Sequence, residues 1–529
     1  MSEVGIVDSR KLSTSSSLQR QCAKVSENEP ATFEEAISAT RFGKFNWLLA
    51  FVCVPASFCI VFDTTSMSYT SVAAQCDLDL DLNDKGLLNA VTYAGMVSSA
   101  AIWGFLFDVL GRKRLIFVGF LADGLFVLVS AFAQDLMLIL AAKFFQGFIV
   151  IGPFSALSSY ISEFHCARYR PAFQLLIGCC NSFGTVLLPL IAWALLPQDL
   201  DFSVIGLDFH SWNVFLFVTA VPALLNAAIF AFLPESPKFL MMCGENEKAL
   251  KVFETVYRVN TGLPADTFPV KRLVDETKLN ENAQHGGKVT AHRTKAQALK
   301  EGFQQIRPLF FPPHLFRMML VCVVTLCIAS SVNMLRLWLP QIFQAMTDYE
   351  KLQESADLCT MMESIVPINR TVESCVVNTD NQRVYINSMI VGCTSIVGYG
   401  ITVFLMRIVG KRNVLVAAAT ISGAAAISMY FAQNSDMALA FSAVFNAMGA
   451  LSANVVISVT VDLFPTTLRT LAISIGAMSG RAGAMSGSFI FPFLIQSGCL
   501  PPFLAVGGLL LSAACLSMFF PKTDMQALQ

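Results

Sequence analysis

The chain has 529 residues, of which 55% are hydrophobic and only 14% are charged. Because a soluble globular domain carries roughly 25% charged residues, this composition indicates a protein that lies mostly in an apolar solvent. The net charge of −1 gives no reason to expect nucleic-acid binding. No metal site is predicted, because most of the 15 cysteines lie within apolar runs, where they act as small hydrophobic side chains.

The apolar runs are long enough to cross a bilayer, since a transmembrane helix needs roughly 20 residues. Residues 1–45 are polar and hold no apolar core of a secretory signal, so the first run is expected to act as its own insertion signal. The runs lie at 46–68, 86–107, 115–133, 136–161, 171–196, 212–233, 317–345, 385–406, 413–432, 436–461, 468–496 and 499–520. This pattern predicts an all-α membrane protein with 12 transmembrane helices, in two groups of six.

The predicted organisation follows from where these runs cluster. Leu250, Phe253 and Tyr257 recur at helical spacing, so 245–259 is expected to form an amphipathic helix under the bundle. The segments are a largely disordered N-terminal tail at 1–45, a six-helix bundle at 46–233, a loop with the amphipathic helix at 234–316, a second bundle at 317–520 that includes an outer loop at 346–384, and a tail at 521–529.

The distribution of basic residues predicts the orientation. With the N-terminus inside, the cytoplasmic segments hold about 29 of the 36 basic residues and the opposite segments about four. Both termini are therefore expected to be cytoplasmic.

The predicted outer loop carries features that belong on the opposite side of the membrane. Asn369 opens an Asn-Arg-Thr sequon, and Cys359 and Cys375 flank it. A glycan and a disulfide both require the lumenal or extracellular side, so we expect glycosylation at Asn369 and a Cys359–Cys375 bridge. The alternative is that a single sequon has arisen by chance.

The two groups of six spans carry a repeated motif. Segment 102–114 resembles segment 401–413, and Gly111-Arg112-Lys113 superposes on Gly410-Lys411-Arg412 at an offset of 299 residues. The same offset relates Glu163 to Asp462 and Arg170 to Arg469 without a gap. Parallel repeats of this kind indicate two pseudo-symmetric six-helix bundles with a solute site between them.

The repeated motif lies in the predicted cytoplasmic turns and is interpreted as a gate. Glycines allow a tight turn there, and an acidic side chain can bind an arginine or a helix N-terminus. Opposite charges at the ends of spans 4/5 and 10/11 are interpreted as latches that hold one conformation; the alternative is plain positive-inside anchoring with ordinary ion pairs. The gate residues are Gly104, Asp108, Gly111, Arg112, Lys113, Glu163, Arg170, Asp462 and Arg469.

These residues carry a family resemblance. The G-x3-D-x2-G-R-K motif from Gly104, Lys143-x2-Gln146-Gly147, the Pro-Glu-Ser-Pro sequence at 234–237 and Pro465-x3-Arg469 resemble the major facilitator superfamily. Within it, His210-Ser211-Trp212, the PESPKFL sequence and Asn260-Thr261-Gly262 resemble the synaptic vesicle glycoprotein 2 family.

The sequence also departs from that family. The outer loop is much shorter than the large lumenal domain of the vertebrate glycoproteins, which puts a toxin-receptor or matrix-binding role in doubt. Asp63 stands alone where the family has an acidic pair in span 1, with Ile60 at the other position, and a span-10 tryptophan is replaced near Ala453. The span-5 tryptophan has a match in Trp193, and the span-11 lysine corresponds to Arg481.

Ionisable side chains inside the spans are costly and by default indicate function. In the resembled fold, spans 1, 4, 7 and 10 line a central cavity, so Asp63 and Lys143 are expected to approach each other on its wall. Arg481 is expected to contact solute or take part in coupling, or else to bond backbone carbonyls between helices. Arg336 either binds solute or reaches the outer interface, and Asp123 is expected to bond an adjacent helix.

The resemblance implies a secondary transporter that moves a small organic solute by alternating access, with the solute near Asp63, Trp193 and Arg481. The alternative for Trp193 is a place in the interfacial aromatic belt. The implied partners are a small-molecule solute, a coupling proton or ion and the lipid bilayer, in the plasma membrane or a secretory or synaptic vesicle membrane. No cofactor or enzymatic activity is predicted, because the sequence lacks a Walker loop and any nucleophile–base or metal-ligand spacing. The alternative is a vesicle trafficking or regulatory protein that kept the fold and lost efficient transport.

The predicted topology can be tested with a tag and a glycan. We predict that an epitope tag placed within 277–305 is reached by antibody only after cells are permeabilised, whereas the protein carries a glycan that Asn369→Gln removes. Labelling of the tag in intact cells would contradict the orientation, and unchanged gel mobility of the variant would contradict the glycan alone.

Overall fold

A computed structural model describes residues 30–198, 200–204, 206–274, 307–352, 358–363 and 379–521. Twelve helices within these ranges have 18 residues or more, which confirms the predicted twelve-helix fold. They are α1 Lys44–Ala73, α2 Leu82–Leu110, α3 Arg112–Phe132, α4 Leu136–Glu163, α5 Arg170–Leu195, α6 Ser211–Phe232, α7 Leu315–Arg336, α8 Gln382–Ile408, α9 Lys411–Ser428, α10 Ser435–Leu463, α11 Thr466–Gln496 and α12 Leu500–Ser517.

Most of these helices meet the requirements for crossing a bilayer. In the described part of the chain, ten helices are both long and apolar enough to span a membrane. The other two long helices, α2 and α11, have 29 and 31 residues and pack against each other. In hydrocarbon a helix satisfies its backbone hydrogen bonds internally, which is why the chain crosses as helices and not as irregular loops.

The two halves use the same pattern of helix packing. In the first half, α1 packs against α5 and α6, α2 against α4, and α3 against α4 and α6. In the second half, α7 packs against α11 and α12, α8 against α10, and α9 against α10 and α12. The contacts between the halves are α2 with α11 and α8 with α5. These two contacts are equivalent, because α2 corresponds to α8 and α11 to α5 in the repeat. The predicted pseudo-symmetric pair of six-helix bundles is therefore confirmed.

Two glycines build the equivalent turns of the repeat. Gly111 precedes α3 with φ +82°, and Gly410 precedes α9 with φ +87°. L side chains rarely adopt such angles, so glycine allows each helix to end and the next to begin at once. We call the face that holds these two turns the inner face, which is the predicted cytoplasmic side, and the opposite face the outer face.

The inner face carries ordered structure in part of the segment predicted as disordered. Phe33–Ala39 is a helix, with a capping box between Thr32 and Glu35. Phe33 packs against Phe253 of the helix Asn246–Thr261, with ring centroids 6.1 Å apart. The prediction of disorder is therefore wrong for this stretch, because its apolar side is covered by the loop that follows α6.

The outer face also differs from the predicted loop at 346–384. Helix Leu339–Leu352 continues the path of α7 after a break, and a short helix follows at Leu358–Glu363. Between α5 and α6, strands Asp201–Val204 and Leu207–His210 form an antiparallel hairpin.

The predicted Cys359–Cys375 disulfide is wrong. Cys359 is bonded to Cys499, with the two Cα atoms 5.4 Å apart. The Leu358 N–H donates to the Ala432 carbonyl at 3.1 Å, which holds the short helix against the outer end of the second bundle, where Cys499 precedes α12. Cys375 and the sequon at Asn369 lie outside the described residues.

We predict that Cys359→Ser and Cys499→Ser each destabilise the protein by about 2–4 kcal/mol, because the bridge closes a long loop in the unfolded chain. The double variant should be no less stable than either single variant, since all three remove the same bond. The apparent melting temperature in detergent measures this, and Cys515→Ser, which changes an exposed free thiol, is the control. Additive losses, or a non-reduced peptide map that links Cys359 elsewhere, would disprove the pairing.

Candidate functional site

A cavity of about 390 Å³ lies between the two halves. The first half contributes residues of α1 and α5, and the second half contributes residues of α7, α8 and α10. Much of the lining can form hydrogen bonds, including Thr64, Tyr69, Asn181, Ser388 and Asn446. The Oδ1 atom of Asn181 is buried without a hydrogen-bond partner, so the cavity offers an unused acceptor. We call this space the central cavity.

A second cavity of about 230 Å³ lies toward the inner face, and we call it the inner cavity. Residues of α7, α10 and α11 form most of its lining, and α2 adds Tyr93. This lining is largely apolar apart from Tyr93, Asn333, Arg481 and two threonines. Ala453 of α10 lines both cavities, so they meet at a small side chain.

Arg336 lies at the end of α7, where the helix breaks, and lines the central cavity. Its Nη2 atom donates to Asn333 Oδ1 at 2.9 Å, and its Nε atom is buried without a partner. Tyr93 of α2 donates its hydroxyl to the same Asn333 oxygen at 3.1 Å. Arg336 therefore faces the central cavity, as a solute-binding role requires, and that role stays a prediction.

Arg481 lines the inner cavity, halfway along α11. Its guanidinium makes no hydrogen bond or ion pair with any described residue, and no acidic side chain lines the cavity. Arg481 was alternatively expected to bond backbone carbonyls between helices, and it makes no such bond with the described residues.

A buried polar cluster lies inside the first half. Cys59 of α1 donates its thiol to Asp123 Oδ2 at 3.0 Å and lies 3.4 Å from Asp63 Oδ2. The side-chain amide of Gln146 donates to Asp63 Oδ1. Lys143 donates to Ser66 Oγ at 3.2 Å and lies within electrostatic reach of both carboxylates. These six residues, which we call the buried cluster, bring together α1, α3 and α4.

The cluster differs from the predicted arrangement in its position. Asp63 and Lys143 do approach each other, as expected, but neither lines a cavity; their side chains are 2% and 0% exposed. Trp193 is also absent from both linings and packs against an apolar cluster at the outer end of the first half. The expected solute site of Asp63, Trp193 and Arg481 is therefore divided among three places.

The donor set of the cluster suits a proton better than a metal ion. Ligand atoms of Cys59, Asp63 and Asp123 lie within 4.8 Å of one another, which is close enough to hold an ion. Lys143 is buried beside them, however, and its positive charge opposes a second cation. One carboxylate oxygen of Asp123, Oδ1, is buried without a hydrogen-bond partner, so that atom is free to carry a proton.

At the inner face, the sequence after α6 docks onto the turn between α2 and α3. Glu163 forms an ion pair with Arg112 at 3.4 Å and accepts a hydrogen bond from the Ser236 hydroxyl. Glu235 accepts from the Lys113 backbone N–H at 2.9 Å, at the N-terminus of α3. Gly104 and Asp108 belong to the last turns of α2. The surroundings of both residues lie outside the described part of the structure.

The predicted latches have different partners. Arg170 pairs with Glu34 of the N-terminal segment at 2.5 Å, and not with Glu163. It also donates to the carbonyl of His165, whose burial lowers the pKa of its imidazole to about 4. In the second half, Asp462 pairs with Lys411 at 2.6 Å, and the Nε atom of Arg469 is buried without a partner. Sequence reasoning missed the Arg170–Glu34 pair because it treated the N-terminal segment as disordered.

Contacts between α2 and α11 close the outer side of the interface between the halves. A Cβ atom at Gly86 would lie 2.5 Å from Pro492 Cγ, so the two helices touch there. One helical turn away, the side-chain amide of Gln496 donates to Asn83 Oδ1 at 3.2 Å. We call this contact the outer seal.

Several cluster and cavity residues escaped the sequence prediction. Cys59 and Ser66 lie four residues before and three residues after Asp63, on the same helical face, and Gln146 lies three residues after Lys143. That spacing was a readable signal for polar partners. Asn333 gave no comparable signal, because its role depends on Tyr93 from a distant helix.

Comparisons with known proteins agree with this fold. A family profile described as "Sugar (and other) transporter" matches residues 43–351, and the Major Facilitator Superfamily profile matches residues 378–527. Rat synaptic vesicle glycoprotein 2B is 27% identical over 328 residues, which cover 60% of this chain and 48% of that protein. Mouse synaptic vesicle glycoprotein 2C is 27% identical over 254 residues, covering 47% of this chain and 35% of that protein. The matches thus span about half or less of these relatives.

Solved structures of sugar transporters share the architecture. The partially occluded inward-open conformation of the xylose transporter XylE from E. coli has a TM-score of 0.62 at 15% identity and covers 90% of this chain and 100% of that chain. A D-xylose–proton symporter has a TM-score of 0.60 at 15% identity, covering 92% and 100%. At this identity the likeness shows the fold alone. The matched families are transporters and not enzymes, as predicted.

We predict that Gly86→Leu opens the outer seal, because the larger side chain cannot fit against Pro492. A cysteine introduced at Thr65 in the central cavity should then react faster with a membrane-impermeant maleimide added outside. Gly508→Leu is the matched control, since nothing lies within 4 Å of a Cβ atom there. Equal labelling in Gly86→Leu and its parent would show that this contact does not close the pathway.

Proposed function

Because the chain belongs to the sugar (and other) transporter family of the major facilitator superfamily, we propose that it is a secondary transporter of a small organic solute. The observation that carries the proposal is the central cavity, which both halves line with hydrogen-bonding side chains. A cavity shared by two pseudo-symmetric bundles suits alternating access, in which the bundles rock around a solute near midplane.

Coupling to a proton is the second part of the proposal, and the buried cluster supports it. Asp63 and Asp123 with one Lys143 carry a net charge of −1 when both carboxylates are ionised, in a site that water does not reach. One added proton makes the cluster neutral, which the apolar surroundings favour. The cluster is therefore built to take up and release a single proton.

The inner and outer contacts fit the two steps of the cycle. The outer seal joins the two halves and has to break when the pathway opens outward. The pairs Arg112–Glu163 and Lys411–Asp462 each lie within one half. We assign them, with Gly111, Arg170 and Arg469, to the rigidity of the inner ends of the bundles, which must move as units.

The protein is a multi-pass membrane protein, and its finer placement is part of the proposal. The basic residues favour cytoplasmic termini, and the sequon at Asn369 favours glycosylation on the opposite side. Similarity to synaptic vesicle glycoproteins favours a plasma, secretory or synaptic vesicle membrane.

A second candidate function is a trafficking or regulatory membrane protein that transports weakly or not at all. The specific observation in its favour is that Ile60 replaces the second acid of span 1 and lines the central cavity, so no described residue of its wall is a carboxylate. This candidate predicts that no solute drives exchange in either wild type or variants.

We predict that Asp63→Asn and Asp123→Asn each lower uptake driven by a proton gradient by about tenfold or more, because the cluster can no longer exchange its proton. Counterflow, which needs no net proton movement, should continue. The measurement uses proteoliposomes and a panel of D-xylose, benzoate, terephthalate and tetraethylammonium, with the member that wild type exchanges as the probe.

The control is Asp208→Asn, which changes an exposed carboxylate on the outer hairpin. Gradient-driven accumulation at wild-type level in Asp63→Asn and Asp123→Asn would refute proton coupling through the cluster. Silence of wild type across the whole panel would instead favour the trafficking protein.

A further inference from the structure

Arg336 and Arg481, the two arginines that line the cavities, have no counter-charge among the described residues. Neither Arg336 nor Arg481 forms an ion pair with a described residue. Burying a cation without a counter-charge costs several kcal/mol. Arg336 and Arg481 are half-buried beside the cavities, so a bound anion would offset part of such a cost.

The lining of the two cavities gives the sign of the missing charge. No described residue of either lining is acidic, and Arg336 and Arg481 are their only charged residues. Two carboxylates inside the first half, Asp63 and Asp123, are held within the buried cluster. A cationic solute would meet two positive charges and no negative one, whereas an anion would find a partner in each cavity.

The geometry also limits the shape of the anion. Arg336 is bonded to Asn333, and Asn333 lines the inner cavity together with Arg481. Ala453 lines both cavities, and its side chain there is only a methyl group. The inner cavity around Arg481 is mostly apolar, so it suits a hydrocarbon or aromatic body next to the acidic group.

We propose that the transported solute is an organic anion whose acidic group pairs with Arg481, and whose apolar body extends past Ala453 toward a second polar group at Arg336. This inference rests on the proposed transport function and specifies its substrate class. Arg481 binds the anion through a charge-assisted pair in a low-dielectric site. Arg336 donates one hydrogen bond to Asn333, and its remaining N–H groups would bind the second polar group of the solute.

The test compares the probe panel on purified full-length protein, by counterflow in proteoliposomes and by ligand-induced thermal stabilisation. Wild type is expected to exchange benzoate and terephthalate in preference to D-xylose and tetraethylammonium. Arg481→Met should lower exchange of both anions by about tenfold or more, the loss of one strong charge pair, while Arg481→Lys restores part of it.

Two further variants separate the subsites. Arg336→Met and Ala453→Trp should each weaken terephthalate more than benzoate, because only the dianion has a second acidic group for Arg336. Arg258→Met, on the exposed face of the helix Asn246–Thr261, is the matched control and should behave as wild type. Size-exclusion profiles establish that each variant is folded. If Arg481→Met does not fold, Arg481→Lys, which keeps the positive charge, takes its place.

The outcomes distinguish this inference from the transport function itself. Exchange of D-xylose or tetraethylammonium by wild type, unchanged in Arg481→Met, would overturn the anion assignment and leave the transporter in place. Terephthalate and benzoate weakened equally by Ala453→Trp would overturn the two-cavity binding mode. Silence of wild type toward every probe, with no thermal stabilisation, would overturn the transport proposal and this inference with it.

Discussion

An ionisable side chain within a bilayer has no bulk water to stabilise it, and this constraint organises the polar parts of the molecule. Each such side chain must find an opposite charge, hydrogen bonds or a cavity. Asp63, Asp123 and Lys143 use the first two solutions and form one buried cluster. Arg336 and Arg481 use the third and face cavities. The cluster is closed within one half, whereas the cavities lie where helices of both halves meet.

The two halves share their packing but not their chemistry. At the repeat offset of 299, Asp123 corresponds to Ser422 and Lys143 to Ser442. Both serines are fully buried and donate to backbone carbonyls, so the equivalent positions in the second half are neutral. Pseudo-symmetry of the backbone thus permits one half to hold the buried cluster while the other places an arginine beside the inner cavity.

Sequence reasoning recovered what depends on local pattern. The number of spans follows from hydropathy, and the repeat follows from the turns at Gly111 and Gly410, whose backbone angles are nearly equal. The proximity of Asp63 and Lys143 was implied by the family resemblance, which places spans 1 and 4 side by side around a cavity. The number of spans needs only the helix rise and the thickness of the bilayer.

What sequence reasoning missed depends on which surfaces meet. Cys359 was assigned to the nearest cysteine of its loop, but the packing of the short helix brings it to Cys499, 140 residues away. Arg170 was assigned to the nearest acid in the motif, but the ordered N-terminal segment brings Glu34 to it. Neither pairing has a local signal, because each results from the docking of a short segment whose apolar residues are buried against a distant part of the chain.

Helix α1 connects the two polar systems. Cys59, Asp63 and Ser66 recur at i, i+4 and i+7 and face the buried cluster, whereas Ile60, Thr64 and Ser68 face the central cavity. A change in the charge of the cluster alters the forces on one face of α1, and the helix transmits any rotation or tilt to its other face. A rigid helix that both sites bias is a physical route for coupling between a proton and a solute. Because an organic anion moved together with one proton carries no net charge when it is a monoanion, this arrangement would also make transport insensitive to the membrane potential.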